Sequence, residues 1–213
     1  SGQYIYTAND EGYIYKIDIK NTDLITNLPS LPYSIWYNWL DNSPQDIYGN
    51  VYFISDGGLI VKVAPNGTQT QIANLGYGFG NSDWNTALEL ALDKNLYALQ
   101  AYSGRIIKIT PDGNVTQIAN LASQLGLWYW NDLELALDGN LYALKYDGPV
   151  VKIAPNGSVT QIANLGSPGY PYWWNDLELA LDGNLYAFRK YDGHVIKITP
   201  DGNVTQIANL ASQ

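Results

Sequence analysis

The residues best suited to holding a ligand are seven tryptophans, Trp36, Trp39, Trp84, Trp128, Trp130, Trp173 and Trp174, which fall in four short stretches of the chain. Three stretches end alike, in Trp84-Asn85, Trp130-Asn131-Asp132 and Trp174-Asn175-Asp176, and the first offers Asn38-Trp39 and Asp41-Asn42. An aromatic plate beside amide and carboxylate groups stacks on the apolar face of a sugar and hydrogen-bonds its hydroxyls. The tryptophans with Asn85, Asn131, Asp132, Asn175 and Asp176 are therefore the candidate ligand-binding set. A Trp recurring once per repeat is also what a wedge between packed units needs, so Trp84, Trp130 and Trp174 carry both readings. Trp36, Trp128 and Trp173 each sit near a second Trp and several tyrosines, a density that marks an interaction surface.

Catalytic chemistry has little to work with. Cysteine is absent and His194 is the single histidine, which leaves no thiolate nucleophile, no His-His metal site and no catalytic constellation, so the chain reads as non-enzymatic, with no metal and no cofactor. Glu89, Glu134 and Glu178 recur at one repeat position and Lys16, Lys62, Lys108, Lys152 and Lys197 at another, for which pairing between repeats is a sufficient account. Asn66, Asn114, Asn156 and Asn203 each open an Asn-x-Ser/Thr sequon and are candidate glycosylation sites, although Asn-Gly and Gly-Asn are also good turn chemistry.

Eleven basic against twenty acidic residues give a net charge of -9, the wrong sign for a phosphate backbone or an anionic membrane, so neither nucleic acid nor membrane insertion is expected. Eighteen Tyr and 7 Trp against 3 Phe favour surfaces whose aromatic groups keep one end wet, which suits an extracellular or periplasmic binder. The chain has no Met, no signal-peptide pattern and no long apolar run, and reads as a processed product with its N-terminus trimmed.

Repetition positions these residues. Ile107 to Gln124 and Ile196 to Gln213 are identical over eighteen residues, and Asn50, Asn95, Asn140 and Asn184 open similar runs at spacings of 45, 45 and 44 residues, with a further copy starting at Gly2. The unit Leu133 to Leu165 holds four strand-like runs, A to D, divided by Asp138-Gly139, Asp147-Gly148 and Pro155-Asn156-Gly157, which predicts tight two-residue hairpins. A four-stranded antiparallel meander of this length, repeated head to tail, is the pattern of a β-propeller blade. The run GNLYALKYDGPVVKIAPNGSVTQI, with its Pro111-Asp112-Gly113-Asn114 and Pro200-Asp201-Gly202-Asn203 turns, resembles the repeats of streptogramin (virginiamycin B) lyase and NHL-type propellers, and the five-fold count is similar to tachylectin-type lectins. The resemblance implies a propeller; the histidine-based catalytic set of the lyases has no match here.

The expectation is thus an all-β, five-bladed β-propeller in one domain over residues 1–213, with blades near 1–28, 29–75, 76–121, 122–165 and 166–213 and the first lacking its innermost strand. The tryptophans lie in D-to-A loops on one face of the ring, with the B-to-C turns. The function expected is lectin-like: multivalent binding of glycans or a polysaccharide surface. A structural subunit that assembles with other copies of itself or another chain is the alternative, and a lyase- or lactonase-like enzyme the third reading.

Overall fold

The computed structural model describes the backbone of residues 4–8, 14–18, 21–28, 43–55, 57–76, 87–127, 129–166 and 174–210; before residue 43, Lys16 is the one side chain described. Among the described residues the fold is all-β and built of five successive antiparallel sheets. The first holds β1 (Tyr4–Ala8), β2 (Ile14–Asp18) and β3 (Asn21–Leu28), and the second β4 (Val51–Ile54), β5 (Leu59–Val63) and β6 (Gln69–Asn74). The third runs from β7 (Leu88–Leu90) through β8 (Leu96–Gln100) and β9 (Arg105–Ile109) to β10 (Val115–Asn120). A one-turn helix, α1 (Ala122–Leu125), leads to the fourth: β11 (Trp130–Leu135), β12 (Leu141–Lys145), β13 (Pro149–Ile153) and β14 (Val159–Asn164). The fifth is β15 (Asp176–Leu179), β16 (Leu185–Arg189), β17 (His194–Ile198) and β18 (Val204–Asn209).

Two sheets, not one, have three strands among the described residues. In the second the innermost strand shrinks to a single bridge between Gln45 and Val51. The sequence Ser43-Pro44-Gln45-Asp46 stands where other repeats carry Leu-Glu-Leu-Ala. Pro44 has no N–H to give a ladder; Asp46, at the turn position that Ala91, Ala136 and Ala180 hold in the other sheets, uses Oδ1 to accept the backbone N–H groups of Tyr48 and Asn50, both at 2.9 Å.

The hairpins also differ from the two-residue type expected from Asp-Gly. In the fourth sheet the Ala136 N–H donates to the Asn140 carbonyl (2.9 Å) and Gly139 N–H to the Ala136 carbonyl (2.9 Å), enclosing three residues with Gly139 at φ +81°. The loop between β13 and β14 repeats this with Pro155, Asn156 and Gly157. A type I turn followed by a left-handed residue closes a hairpin with the same glycine but one residue more.

Packing between sheets buries Leu, Ile, Val and Ala on both faces. One cluster joins Leu99, Ile106, Ala119 and Leu121 of the third sheet's segment to Trp130, Leu133, Ala143, Val151 and Ile153 of the fourth; another joins Leu144, Val150 and Ala163 to Trp174, Leu177, Ala187, Ile196 and Ile198 of the fifth. The β13–β14 turn lies on the strand before it: a Cβ on Gly157 would come 2.3 Å from the Ile118 carbonyl oxygen. The equivalent Gly202 sits 2.3 Å, by the same measure, from the Ile162 carbonyl oxygen. Only glycine allows a turn to approach backbone so closely.

Candidate binding face

At two places among the described residues the end of a D-to-A loop meets a B-to-C turn, because their backbones are tied together. The Trp130 N–H donates to the Ala101 carbonyl (2.9 Å), and the Trp174 N–H to the Tyr146 carbonyl (3.1 Å), so each loop ends on the B-to-C turn of the preceding sheet.

Of the candidate set, Trp36, Trp39, Trp84, Asn85, Trp128 and Trp173 lie outside the described residues. The other six are placed. Trp130 is 0% exposed and Trp174 2%, so these two rings are wedges between sheets and offer no plate to a dissolved ligand, a correction to their reading as ligand-stacking groups. Their polar companions are engaged as well. The Asn131 amide donates to the Trp174 carbonyl, and Asn175 Oδ1 accepts the Lys190 N–H at 2.9 Å. Asp132 accepts from its neighbour Leu133 N–H and, across the seam between sheets, from Leu177 N–H, both at 2.8 Å. Asp176 is exposed beside Asp132, to which it is hydrogen-bonded.

The two wedges differ in one respect. Trp174 Nε1 donates to the Gly166 carbonyl at 3.2 Å, whereas buried Trp130 Nε1 finds no acceptor among the described residues. Ala122 stands where Gly166 would, and its carbonyl is taken by Gly126 N–H in the turn of α1.

What this face presents instead is tyrosine. Tyr102 is 45% and Tyr191 61% exposed, each in a B-to-C turn. Tyr146 occupies the same place in the fourth sheet and meets Tyr129 edge to face, with ring centroids 5.5 Å apart and planes at 81°. Tyr129 holds φ +48°, a left-handed conformation uncommon for a bulky residue and of the kind that collects at functional sites. Desolvation, then the neighbouring Asp147 carboxylate, raises the Tyr146 hydroxyl above its ordinary pKa, so it stays a donor.

Beneath the tyrosines the position that closes strand B differs among the last four repeats: Ser55 just after β4, then Gln100, Lys145 and Arg189 at the ends of β8, β12 and β16. Lys145, 6% exposed, donates to the Leu125 carbonyl (3.0 Å) and to Asp147 (3.2 Å). Arg189 holds Asp192 with two parallel bonds of 2.7 Å, lies 4.9 Å over the Trp174 ring, and keeps the Asp192 carboxyl below its usual range. His194 Nδ1 is 3.0 Å from Asp192. Near-identical scaffolds thus hold unlike polar groups at one position.

The innermost strands carry a second feature. Burial, followed by the charges of Glu134 and Glu178, pushes the Glu89 carboxyl up to about 8; burial likewise raises Glu134 to about 7. Asp132 is raised by desolvation and then by its hydrogen bond with Asp176. Glu134 also accepts the Leu179 N–H at 3.2 Å. The recurrent glutamates therefore form a like-charged series, and the expected linkage between repeats is by hydrogen bond at Glu134 and at Lys16, which donates to the Pro65 carbonyl (3.3 Å), while Lys152 and Lys197 face Asp138 and Asp182 of their own repeats. Among the described residues no three His, Asp or Glu side chains converge as metal ligands.

All four sequon asparagines are exposed on the C-to-D turns of the opposite face. Asn66 and Asn156 accept the N–H groups of Thr68 and Ser158 (3.0 Å each), while Asn114 and Asn203 donate to Asp112 and Asp201 (2.6 Å each). The A-to-B turns of that face each expose one aliphatic side chain, Ile47 (90%), Leu92 (85%), Leu137 (85%) and Leu181 (103%). Their one-per-repeat spacing was legible in the sequence; their exposure was not.

No family model matches the chain, and no curated protein does. Solved structures do. Virginiamycin B lyase from Staphylococcus aureus superposes with a TM-score of 0.68 at 18% identity, covering 97% of this chain and 69% of the lyase. Regucalcin from Agrobacterium tumefaciens, a calcium-binding protein, gives 0.62 at 14% identity over 98% of this chain and 77% of its own. The protein YCF48, solved bound to a D1 peptide, gives 0.63 at 13% over 99% and 66%. The likeness to the lyases and to other propeller proteins is one of fold, and it agrees with the resemblance carried by the repeats.

Proposed function

We propose that the five sheets are five blades of one propeller-type domain over residues 1–213, and that the face bearing the D-to-A loops and B-to-C turns is a non-enzymatic, multivalent carbohydrate-binding surface. The observation that carries this reading is the exposure of Tyr102 and Tyr191 at equivalent places in two blades, with Tyr146 and the left-handed Tyr129 between them. Trp36, Trp39, Trp84, Trp128 and Trp173 enter it only through their position in the sequence, in the stretches that join one repeat to the next. Similar weak sites repeated along an array gain about 10²-fold or more in avidity on a polymeric ligand. An extracellular or periplasmic setting goes with that use.

The same surface supports a second reading, an assembly subunit whose aromatic face contacts a protein chain, and the peptide-bound YCF48 structure is the observation that favours it. A lyase- or lactonase-like enzyme is the third, motivated by the lyase likeness, with His194 and Asp192 the groups available. A glycan array followed by titration of the best sugar tests the first. Tyr102→Ala combined with Tyr191→Ala is expected to weaken binding at least about 10-fold, since stacked aromatic anchors dominate such contacts. Sugar binding that survives this double substitution places the site elsewhere.

A further inference from the structure

The two identical segments, Ile107 to Gln124 and Ile196 to Gln213, meet different surroundings. In the first, Leu121 is 0% and Ala119 7% exposed, and both pack with Ile118 against Trp130, Leu133, Val151 and Ile153 of the fourth sheet. In the second, Ile207 is 52% and Leu210 54% exposed. Val115 and Val204, at the other end of the same strands, are both 45% exposed, so the difference is confined to the part that the following sheet covers in the first copy.

The inner edge shows the same asymmetry. On β11 the carboxylates of Asp132 and Glu134 accept the N–H groups of Leu177 and Leu179, two residues apart on the next sheet's innermost strand. Their counterparts on β15, Asp176 and Glu178, are exposed. The flank of the fifth sheet therefore offers both halves of the interface that joins the fourth sheet to the fifth: carboxylates at the inner strand and aliphatic side chains at the outer one.

We propose that this flank is a docking site for one further four-stranded blade of the same repeat type. The occupant's chemistry follows from what covers the identical segment: an innermost strand presenting two backbone N–H groups two residues apart, preceded by a Trp wedge, with branched aliphatic residues on its third strand. The sheet β1–β3 has no innermost strand of that kind among the described residues. Two complete fifth-sheet flanks set face to face would oppose carboxylate to carboxylate, which disfavours a symmetric pair of copies through this surface.

The test is to append residues 125–166 directly after Gln213, where the junction Gln213-Leu125 reproduces the native Gln124-Leu125 because the preceding segments are identical. Amide hydrogen exchange of β18 and thermal unfolding are then compared with the 213-residue chain. Protection of β18 is expected to rise at least about 10-fold. Leu210→Ser should lower Tm in the extended chain as Leu121→Ser does in the original, and lower Tm of the original chain by only about 3 °C. Unchanged β18 protection overturns the proposal, whether the added repeat folds elsewhere, stays unfolded or drives aggregation.

Discussion

Leu121 and Leu210 follow the same fourteen residues in the same strand–turn–strand unit, and each donates its backbone N–H to a glycine carbonyl, Gly104 at 2.9 Å and Gly193 at 2.8 Å. Truncating each to alanine in the 213-residue chain isolates the side chain's surroundings, because sequence context and backbone bonding cancel. Leu121 is fully buried against the Trp130 wedge. Its loss removes about 1.5–3 kcal/mol of transfer free energy and leaves a cavity that rigid strands cannot refill, for a total of about 3 kcal/mol. Leu210, at 54% exposure, surrenders roughly half the transfer contribution and opens to water instead of leaving a void, so about 1 kcal/mol or less is at stake. With ~2–4 °C per kcal/mol for a chain of this size, Leu121→Ala should lower Tm by about 6–12 °C and Leu210→Ala by no more than about 3 °C. Urea unfolding followed by tryptophan fluorescence gives the same comparison in free energy, provided both variants keep the parent's slope. Equal losses at the two positions would refute the reasoning, since they would mean that the fifth sheet's flank is covered as fully as the third's.

Stability should fall as pH rises from about 5 to 8: Glu89 and Glu134, with folded-state values near 8 and 7 against an ordinary 4.5, keep protons that the unfolded chain releases in that window. Each group contributes up to about 1.4 kcal/mol per pH unit while it is protonated only in the fold, so Glu89→Gln should flatten the pH profile of urea midpoints, and a parent profile that is already flat contradicts the burial argument. Gly157→Ala should cost about 3 kcal/mol, from its φ of +85° and the 2.3 Å approach to the Ile118 carbonyl, whereas Gly166→Ala, at φ +78° with open space around it, should cost about 1 kcal/mol. Thermal melts of the two variants side by side check this, and equal costs would show that the close approach is relieved by a shift of the turn.

Much of the fold was legible because it is local and repeated. Asp-Gly and Pro-Asn-Gly placed the hairpins, and four runs per repeat gave the strands of the third, fourth and fifth sheets. Where the expectation failed, a neighbouring residue decided: beside Pro44 a strand is reduced to a single bridge, and the glycines closed three-residue loops instead of two. The candidate site was less legible. A Trp before strand A reads the same whether it stacks on a ligand or wedges between sheets, and for Trp130 and Trp174 the adjoining sheet settled it.

By itself the sequence determined the element order and the antiparallel hairpins, since both rest on interactions within one repeat. Burial depends on the neighbour a repeat receives, and so does every property that follows from burial. Tertiary structure alone decided that Glu89 is raised by burial and then by two carboxylates from other sheets, and that eighteen identical residues are closed over in the third sheet and open at Ile207 and Leu210 in the fifth. No local rule can separate two copies of one sequence; only the surface packed against them does.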